Sequence, residues 1–351
     1  MGYRLVPYTA EWEQATARCN GRLSASGAAP FFLPERAAIP PDHNRAVRRE
    51  HYLVLDDGDE VRGGCLFQYC QAWVDGAPAQ VVNVQSPLSE GLFDTRYAGV
   101  APWMMREIVR RHPFAYCVGM GGEQLPFPRL LRALGWRVEP LPFYFRVLAG
   151  RLFLANMQPV RKHPRLGPLA SAGGAIPVLP DLLLALAHTW RTDKREPQSH
   201  HDGPVHWADI RTRYAFAVER TPELLDALYP PADSHFLRLS VPGGFGVLRT
   251  TQFRADNYFG DLRVATLVEM ICQPGAVRSL LRAALDGARG TGAGLLITNQ
   301  SAPELQTSLK LEGWFSYPSN YLTGLSSPLA ARIGSRPFYI NRGDGDGLLN
   351  L

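Results

Sequence analysis

The residues best suited to chemistry lie between Val81 and His112, and the chemistry they suggest is anion binding. The chain there reads VVNVQSPLSEG, LFDTRYAGVA and PWMMREIVRRH. The first piece has the composition of a strand, and the last has helical periodicity opened by Pro102. Between them Arg96, Tyr97, Ala98, Gly99, Val100 and Ala101 form a turn. A helix start offers backbone N–H groups with no partner inside the helix, and the helix dipole favours negative charge there. Gly99 and Ala101 keep side-chain bulk away from that backbone, Pro102 suits the first helical turn, and Arg96 adds a formal charge at the lip. An ordinary strand–turn–helix connection would also contain small residues, because a lone glycine-containing phosphate signature is weak.

A turn of this kind needs a sheet to hold it. YRLVPYT alternates as a short strand, and residues 10–23 have helical composition. Residues 51–87 read as three antiparallel strands joined at Asp56-Asp57-Gly58-Asp59 and Val74-Asp75-Gly76-Ala77, since Asp-Gly is the strongest short hairpin signal. After the turn come a helix over 102–112, a buried strand at FAYCVG, a helix at PRLLRALGW and a final strand or strand pair over 137–148. Residues 149–180 lose periodicity and read as a crossover and linker. The second half then repeats the order. Residues 181–190, 207–214 and 222–228 are expected as helices, 236–240, 246–253 and 261–271 as a meander, 276–287 as a helix and GLLIT as a buried strand. LRALGW (131–136) and LKLEGW (309–314) fall at equivalent places. An internal repeat of this kind decides the fold class: α/β (α+β), in two like domains over 1–148 and 181–330, followed by a tail over 331–351.

Bulk properties narrow the function. The 351 residues are 46% hydrophobic and 20% charged, with a formal net charge of +5. That is a globular composition whose mild basicity suits a small anionic ligand. It lacks the Lys/Arg blocks with interleaved aromatics that would make nucleic acid the expected partner. The five cysteines form no CxxC pair, and no run approaches the roughly 20 apolar residues of a membrane span. No secretory signal is legible at MGYRLVPY, so a cytoplasmic, reducing location is expected. Ser199-His200-His201-Asp202 with His206 is dense in metal-type ligands. It lies in a Gly/Pro loop without fixed spacing, so no metal is expected. Cys117, on an apolar strand without a nearby cation, reads as an inert thiol. Arg342-Gly343-Asp344-Gly345-Asp346-Gly347 lacks the acidic ligand that would complete a calcium loop.

The element order, with Arg-x-x-Gly-x-Ala between the fourth strand and its helix, resembles the GNAT-fold N-acyltransferase superfamily. That family's acyl-CoA signature is Gln/Arg-x-x-Gly-x-Gly/Ala, which residues 96–101 meet in full. The resemblance covers 1–148 with its motif and 181–330 by element order alone. It implies tandem GNAT-like domains, each a mixed, mainly antiparallel sheet flanked by helices. It further implies that residues 96–101 hold the pyrophosphate of acetyl-CoA or another acyl-CoA. Asn83, Val84 and Gln85 would then line the pantetheine arm, with the thioester near Gln85 and Tyr116–Cys117. The second half departs from the pattern at Gln273-Pro274-Gly275-Ala276-Val277-Arg278. That turn is short and its proline removes an amide donor, so one acyl-CoA per chain is expected.

Acyl transfer to an amine needs a base for the amine, stabilisation of the oxyanion and a proton for the leaving thiolate. Glu90, just past the fourth strand, is the candidate base, although Ser-Glu-Gly reads more readily as an ordinary solvated turn. Glu269, in LVEMI, is either a cleft acid or a strand residue on a wet face, and the wet face fits better. The family often places a tyrosine on the helix after the fifth strand, and EQLPFPRLLRALGW has none. Tyr116 and Tyr144 are substitutes, although aromatic strand residues are usually core. The expected activity is direct acyl transfer, most simply of acetyl, to a small-molecule amine such as an amino sugar. Two rivals are a Fem-like aminoacyl or peptidyl transferase fed by charged tRNA or a carrier protein, and a non-catalytic acyl-CoA-binding module.

Overall fold

A computed structural model describes residues 2–27, 31–37, 47–162 and 205–345. In chain order the first elements are β1 (Tyr3–Pro7), α1 (Glu13–Ser26), β2 (Arg48–Asp56), β3 (Val61–Val74), β4 (Ala77–Ser89) and α2 (Val100–Arg111). Then come β5 (Ala115–Val118), α3 (Pro126–Ala133), β6 (Arg137–Pro140), β7 (Phe143–Val147), α4 (Gly150–Asn156) and α5 (Gln158–Arg161). The second half holds α6 (Trp207–Arg211), β8 (Phe216–Val218), α7 (Pro222–Leu228), β9 (Phe236–Val241), β10 (Gly244–Gln252) and β11 (Arg263–Cys272). It ends with α8 (Val277–Gly290), β12 (Leu295–Asn299), α9 (Pro303–Leu311), β13 (Phe315–Tyr317), β14 (Leu322–Leu325), α10 (Ser327–Ile333) and β15 (Phe338–Tyr339). The helix expected over 181–190 and the cluster Ser199–Asp202 lie outside the described residues.

The chain forms two compact units that are not its two contiguous halves. The first comprises Met1–Pro140, Ala215–Leu228 and Asn320–Arg336, the second Leu141–Tyr214, Tyr229–Ser319 and Pro337–Leu351. The expected boundaries at 148 and 181 are corrected accordingly. The sheet of the first unit runs β1-β2-β3-β4-β5-β14-β6, with β14 supplied by the second half of the sequence. The sheet of the second unit runs β13-β7-β12-β11-β10-β9, with β7 supplied by the first half. The reason is local. Pro140 and Pro142 bracket Leu141 between β6 and β7, and residues at and before a proline are held extended, so a tight hairpin cannot form.

In the first unit every strand pair on the main path is antiparallel except β4 with β5. Asp75 and Gly76 have φ of 51° and 84°, the left-handed pair that the expected hairpin turn requires. Val82, Val84, Cys65 and Phe67 pack on one face of the sheet with Met104, Met105 and Ile108 of α2 and Leu131 of α3. Cys19 and Leu23 of α1 cover Leu53, Leu55 and Leu88 on the other. In the second unit α8 buries Leu280, Leu281, Ala284 and Leu285, and β11 and β12 are the parallel pair. The tail expected over 331–351 is corrected too: Tyr339, Ile340 and Asn341 are buried.

Candidate acyl-CoA site

β4 and β5 pair only at Val82 with Ala115 and Asn83 with Tyr116, and then part. The cause is a bend in β4. Its register with β3 shifts between Gly64 and Leu66, Ser86 adopts φ 46°, and Pro87 has no amide to offer β5. A non-glycine residue in that region costs on the order of 1–2 kcal/mol. β4 nevertheless stays on β3 as far as Ser89, so the bend opens the sheet on the β5 side alone.

The turn beyond β4 is built from its own side chains. Ser89 accepts from the Gly91 amide at 3.1 Å, and Asp94 accepts from the Arg96 amide at 3.0 Å. Gly91 allows the two arms to close, since a Cβ there would lie 2.6 Å from the Tyr97 carbonyl oxygen. Tyr97 and Val100 point into the core, 8% and 0% exposed, which turns the small residues Ala98 and Ala101 outward. The Tyr97 and Ala98 amides donate to Asp94 and Thr95 carbonyls, and the ladder of α2 begins with Trp103 donating to Gly99 at 3.0 Å. Of the six expected amides, Arg96, Tyr97 and Ala98 are therefore spent on the turn. Gly99, Val100 and Ala101 are the helix-opening set. A Cβ on Gly99 would meet no atom within 4 Å, so this backbone is open to an approaching group.

Beside these amides lies a cavity of about 190 Å³. One wall is Pro87, Leu88, Ser89, Gly91 and Leu92; Ala98, Ala101, Pro102 and Met104 form the second, and Pro126, Phe127 and Leu130 of α3 the third. The expected pantetheine residues sit differently. Val84 is in the core, while Asn83 and Gln85 project from the opposite face and are 1% and 7% exposed. The cavity wall is the stretch of β4 just beyond them. Arg96 is at the lip, 78% exposed and clasped to Asp94 at 2.6 Å.

Glu90 is neither a free base nor part of a solvated turn. It is 1% exposed, and Arg22 holds one carboxylate oxygen at 2.6 Å while Arg62 holds the other at 2.9 Å. Arg62 also bonds Asp56 at 2.7 Å and stacks over Tyr97 at 4.2 Å. Glu90 thereby fastens the turn to β3 and α1. Breaking a buried ion pair from one side leaves an uncompensated charge, so Glu90→Ala is expected to cost about 3 kcal/mol. Differential scanning calorimetry should show the melting temperature falling by roughly 6–12 °C. A variant that melts like wild type and loses turnover alone would restore Glu90 as the base.

Tyr116 is fully buried, edge-on to Phe216 at 5.6 Å with its hydroxyl 3.8 Å from the Cys70 sulfur. It is a core residue of the face that carries Asn83. Tyr144 belongs to the second unit, where its hydroxyl donates to Gln306 at 3.4 Å and burial raises its pKa. Glu269 is also in the second unit and is not on a wet face. It is 2% exposed and accepts from Asn341 Nδ2 at 2.5 Å. Alternation misleads here because β11 is buried from Val264 to Cys272, covered on both faces. Within the first unit Glu90 serves an ion-pair cluster and Tyr116 the core, while Glu269 belongs to the second unit.

Two residues of the first unit went unread in the sequence. Tyr321, just before β14, lies against the exit of β5: a Cβ on Gly119 would come 3.0 Å from its ring and 3.3 Å from its hydroxyl. The Gly119 amide donates to Leu322 at 2.9 Å, fixing that placement. His51 on β2 shares a lateral row with Leu66 and Gln85. Burial lowers its pKa, leaving a neutral imidazole at pH 7. Among the described residues no His/Cys/Asp/Glu group is arranged to hold a metal, and no helix is long and apolar enough to cross a membrane.

No protein-family model and no curated protein matches the chain. Solved structures do. A probable N-acyltransferase of unknown function from Enterococcus faecalis V583 is 11% identical, with 94% of this chain and 74% of that one covered at a TM-score of 0.47. A GCN5-related N-acetyltransferase from Kribbella flavida is 15% identical, with 93% and 71% covered at 0.47. Saccharomyces cerevisiae N-myristoyltransferase, solved with bound myristoyl-CoA, is 11% identical, with 93% and 78% covered at 0.46.

Proposed function

We propose that this chain is an acyl-CoA-dependent N-acyltransferase with its donor site in the first unit. One observation carries the reading. A largely apolar cavity runs along Pro87–Ser89, the part of β4 beyond its pairing with β5, and reaches Ala98 and Ala101, which flank the helix-opening amides. A long ligand with an apolar arm and a diphosphate matches that pairing of surfaces, because amides at a helix start bind phosphate. The pyrophosphate would take the three amides, and the pantetheine would follow Pro87–Ser89. The thioester would then reach the parting beside Gln85.

The transfer is direct. The amine nitrogen of a small polar acceptor attacks the thioester carbonyl, the C–S bond breaks, and the acyl group leaves on nitrogen. The amine proton passes through a chain of waters to His51, which stands in one lateral row with Leu66 and Gln85. The departing thiolate takes its proton from Tyr321. Acetyl is the simplest acyl group and an amino sugar the simplest acceptor. Isothermal titration with acetyl-, octanoyl- and myristoyl-CoA tests the donor: one equivalent of at least one thioester should bind below about 100 μM. Absence of binding for all three at millimolar concentration sinks the reading.

A further inference from the structure

In the second unit β11 and β12 pair over Val264–Thr266 with Leu295–Ile297 and then part, as β4 and β5 do in the first. This parting is filled by the chain itself. On the β12 side the Ser301 amide donates to the Ile340 carbonyl at 3.0 Å, and the Ile340 amide donates to Ser301 Oγ at 2.7 Å. Ser301 Oγ in turn donates to the Phe338 carbonyl at 2.7 Å, and Gln300 bridges Asn341 in antiparallel register. On the β11 side the Tyr339 hydroxyl donates to the Met270 carbonyl, and Asn341 Nδ2 donates to Glu269 at 2.5 Å. Gly343 lies so close that a Cβ would sit 3.2 Å from the Val268 carbonyl oxygen and 2.1 Å from the Tyr229 hydroxyl.

The anchors Tyr339 and Asn341 are two residues apart, the period of an extended strand whose alternate residues face one wall, and Gly343 follows in the 3-10 turn Arg342–Asp344. Each meets a different demand. The Tyr339 ring packs between Trp207 at 5.2 Å and Tyr214 at 5.1 Å. Asn341, fully buried, satisfies the carboxylate of Glu269. Gly343 fits only because it has no side chain. Past Asn341 the segment closes on itself, with the Asn341 side chain accepting from the Gly343 amide at 2.9 Å and Asp344 accepting from the Asn341 amide at 2.9 Å. Main-chain bonds for affinity with pockets at alternate side chains are how a sheet edge recognises an extended peptide.

We infer that the parting of β11 and β12 is a peptide-binding groove selective for Tyr-x-Asn-x-Gly, occupied in cis by Tyr339–Gly343, and that this occupancy closes it to other ligands. The inference does not depend on what the first unit binds. Covalent linkage supplies an effective concentration on the order of millimolar, so modest intrinsic affinity suffices to keep the groove full.

The test inserts a protease recognition site between Ser335 and Arg336 of the full chain. After cleavage the fragment beginning at Arg336 should co-elute in gel filtration and appear bound in native mass spectrometry. Excess synthetic peptide of residues 337–345 should displace it, and peptides carrying Asn341→Ala or Gly343→Ala should compete at least about 10-fold less well. A fragment that leaves unaided, or alanine peptides that compete equally, overturns the inference. Should cleavage cause aggregation, the uncut chain decides. Gly343→Ala should lower the melting temperature and Tyr229→Phe in the same chain should recover part of the loss, whereas Gly343→Ala melting like wild type rejects the groove.

Discussion

Gly99→Glu is expected to weaken acyl-CoA binding at least 100-fold while leaving the fold intact. The fold survives because the new side chain enters open space: a Cβ at Gly99 meets no atom within 4 Å, and φ of −76° suits any residue. Binding suffers because a carboxylate would stand where the proposed site takes the diphosphate. At an effective dielectric of about 20, two unit charges about 5 Å apart repel by roughly 3 kcal/mol, which is more than two decades in affinity. Gly99→Gln, of the same length and neutral, should weaken binding less and so separate bulk from charge. The Glu variant should also recover partly at about 0.5 M salt, because screening shortens the reach of the repulsion. Titration calorimetry on the three proteins, with thermal melts as a check on folding, decides the matter. Equal affinity for wild type and Gly99→Glu would remove the turn from the site.

What the sequence revealed and what it hid divide by range. The hairpin at Asp75-Gly76 and the turn at residues 96–101 were legible because their hydrogen bonds are local; Asp94 caps a turn two residues away. Glu90 was misread because the cations that hold it, Arg22 and Arg62, are 68 and 28 residues distant in sequence. Glu269 was misread because alternation presumes one wet face, and a strand covered on both sides has none. The placement of β7 and β14 was hidden for another reason. A last strand shows the same residues whichever sheet receives it, and Pro140-Leu141-Pro142 was the one local hint against a hairpin. That placement also concealed Tyr321, which stands next to Gly119 only because β14 lies beside β5.

Tyr321→Phe is expected to lower kcat about 100-fold with little change in acyl-CoA affinity. The phenyl ring keeps the contact with Gly119, so the exit of β5 retains its packing. Only the hydroxyl is lost, and with it the proton for the departing thiolate. Loss of a positioned general acid typically costs 10²–10⁴-fold. The lower end applies because a thiol with a pKa near 8.5 is already a fair leaving group. That reasoning supplies a control a packing role would fail. Thioesters of more acidic aryl thiols leave without a proton, so with them the Phe variant should approach wild-type turnover. If kcat falls equally for alkyl and aryl thioesters, the hydroxyl is holding the loop and the proton comes from elsewhere, with solvent water entering the parting of β4 and β5 as the remaining donor.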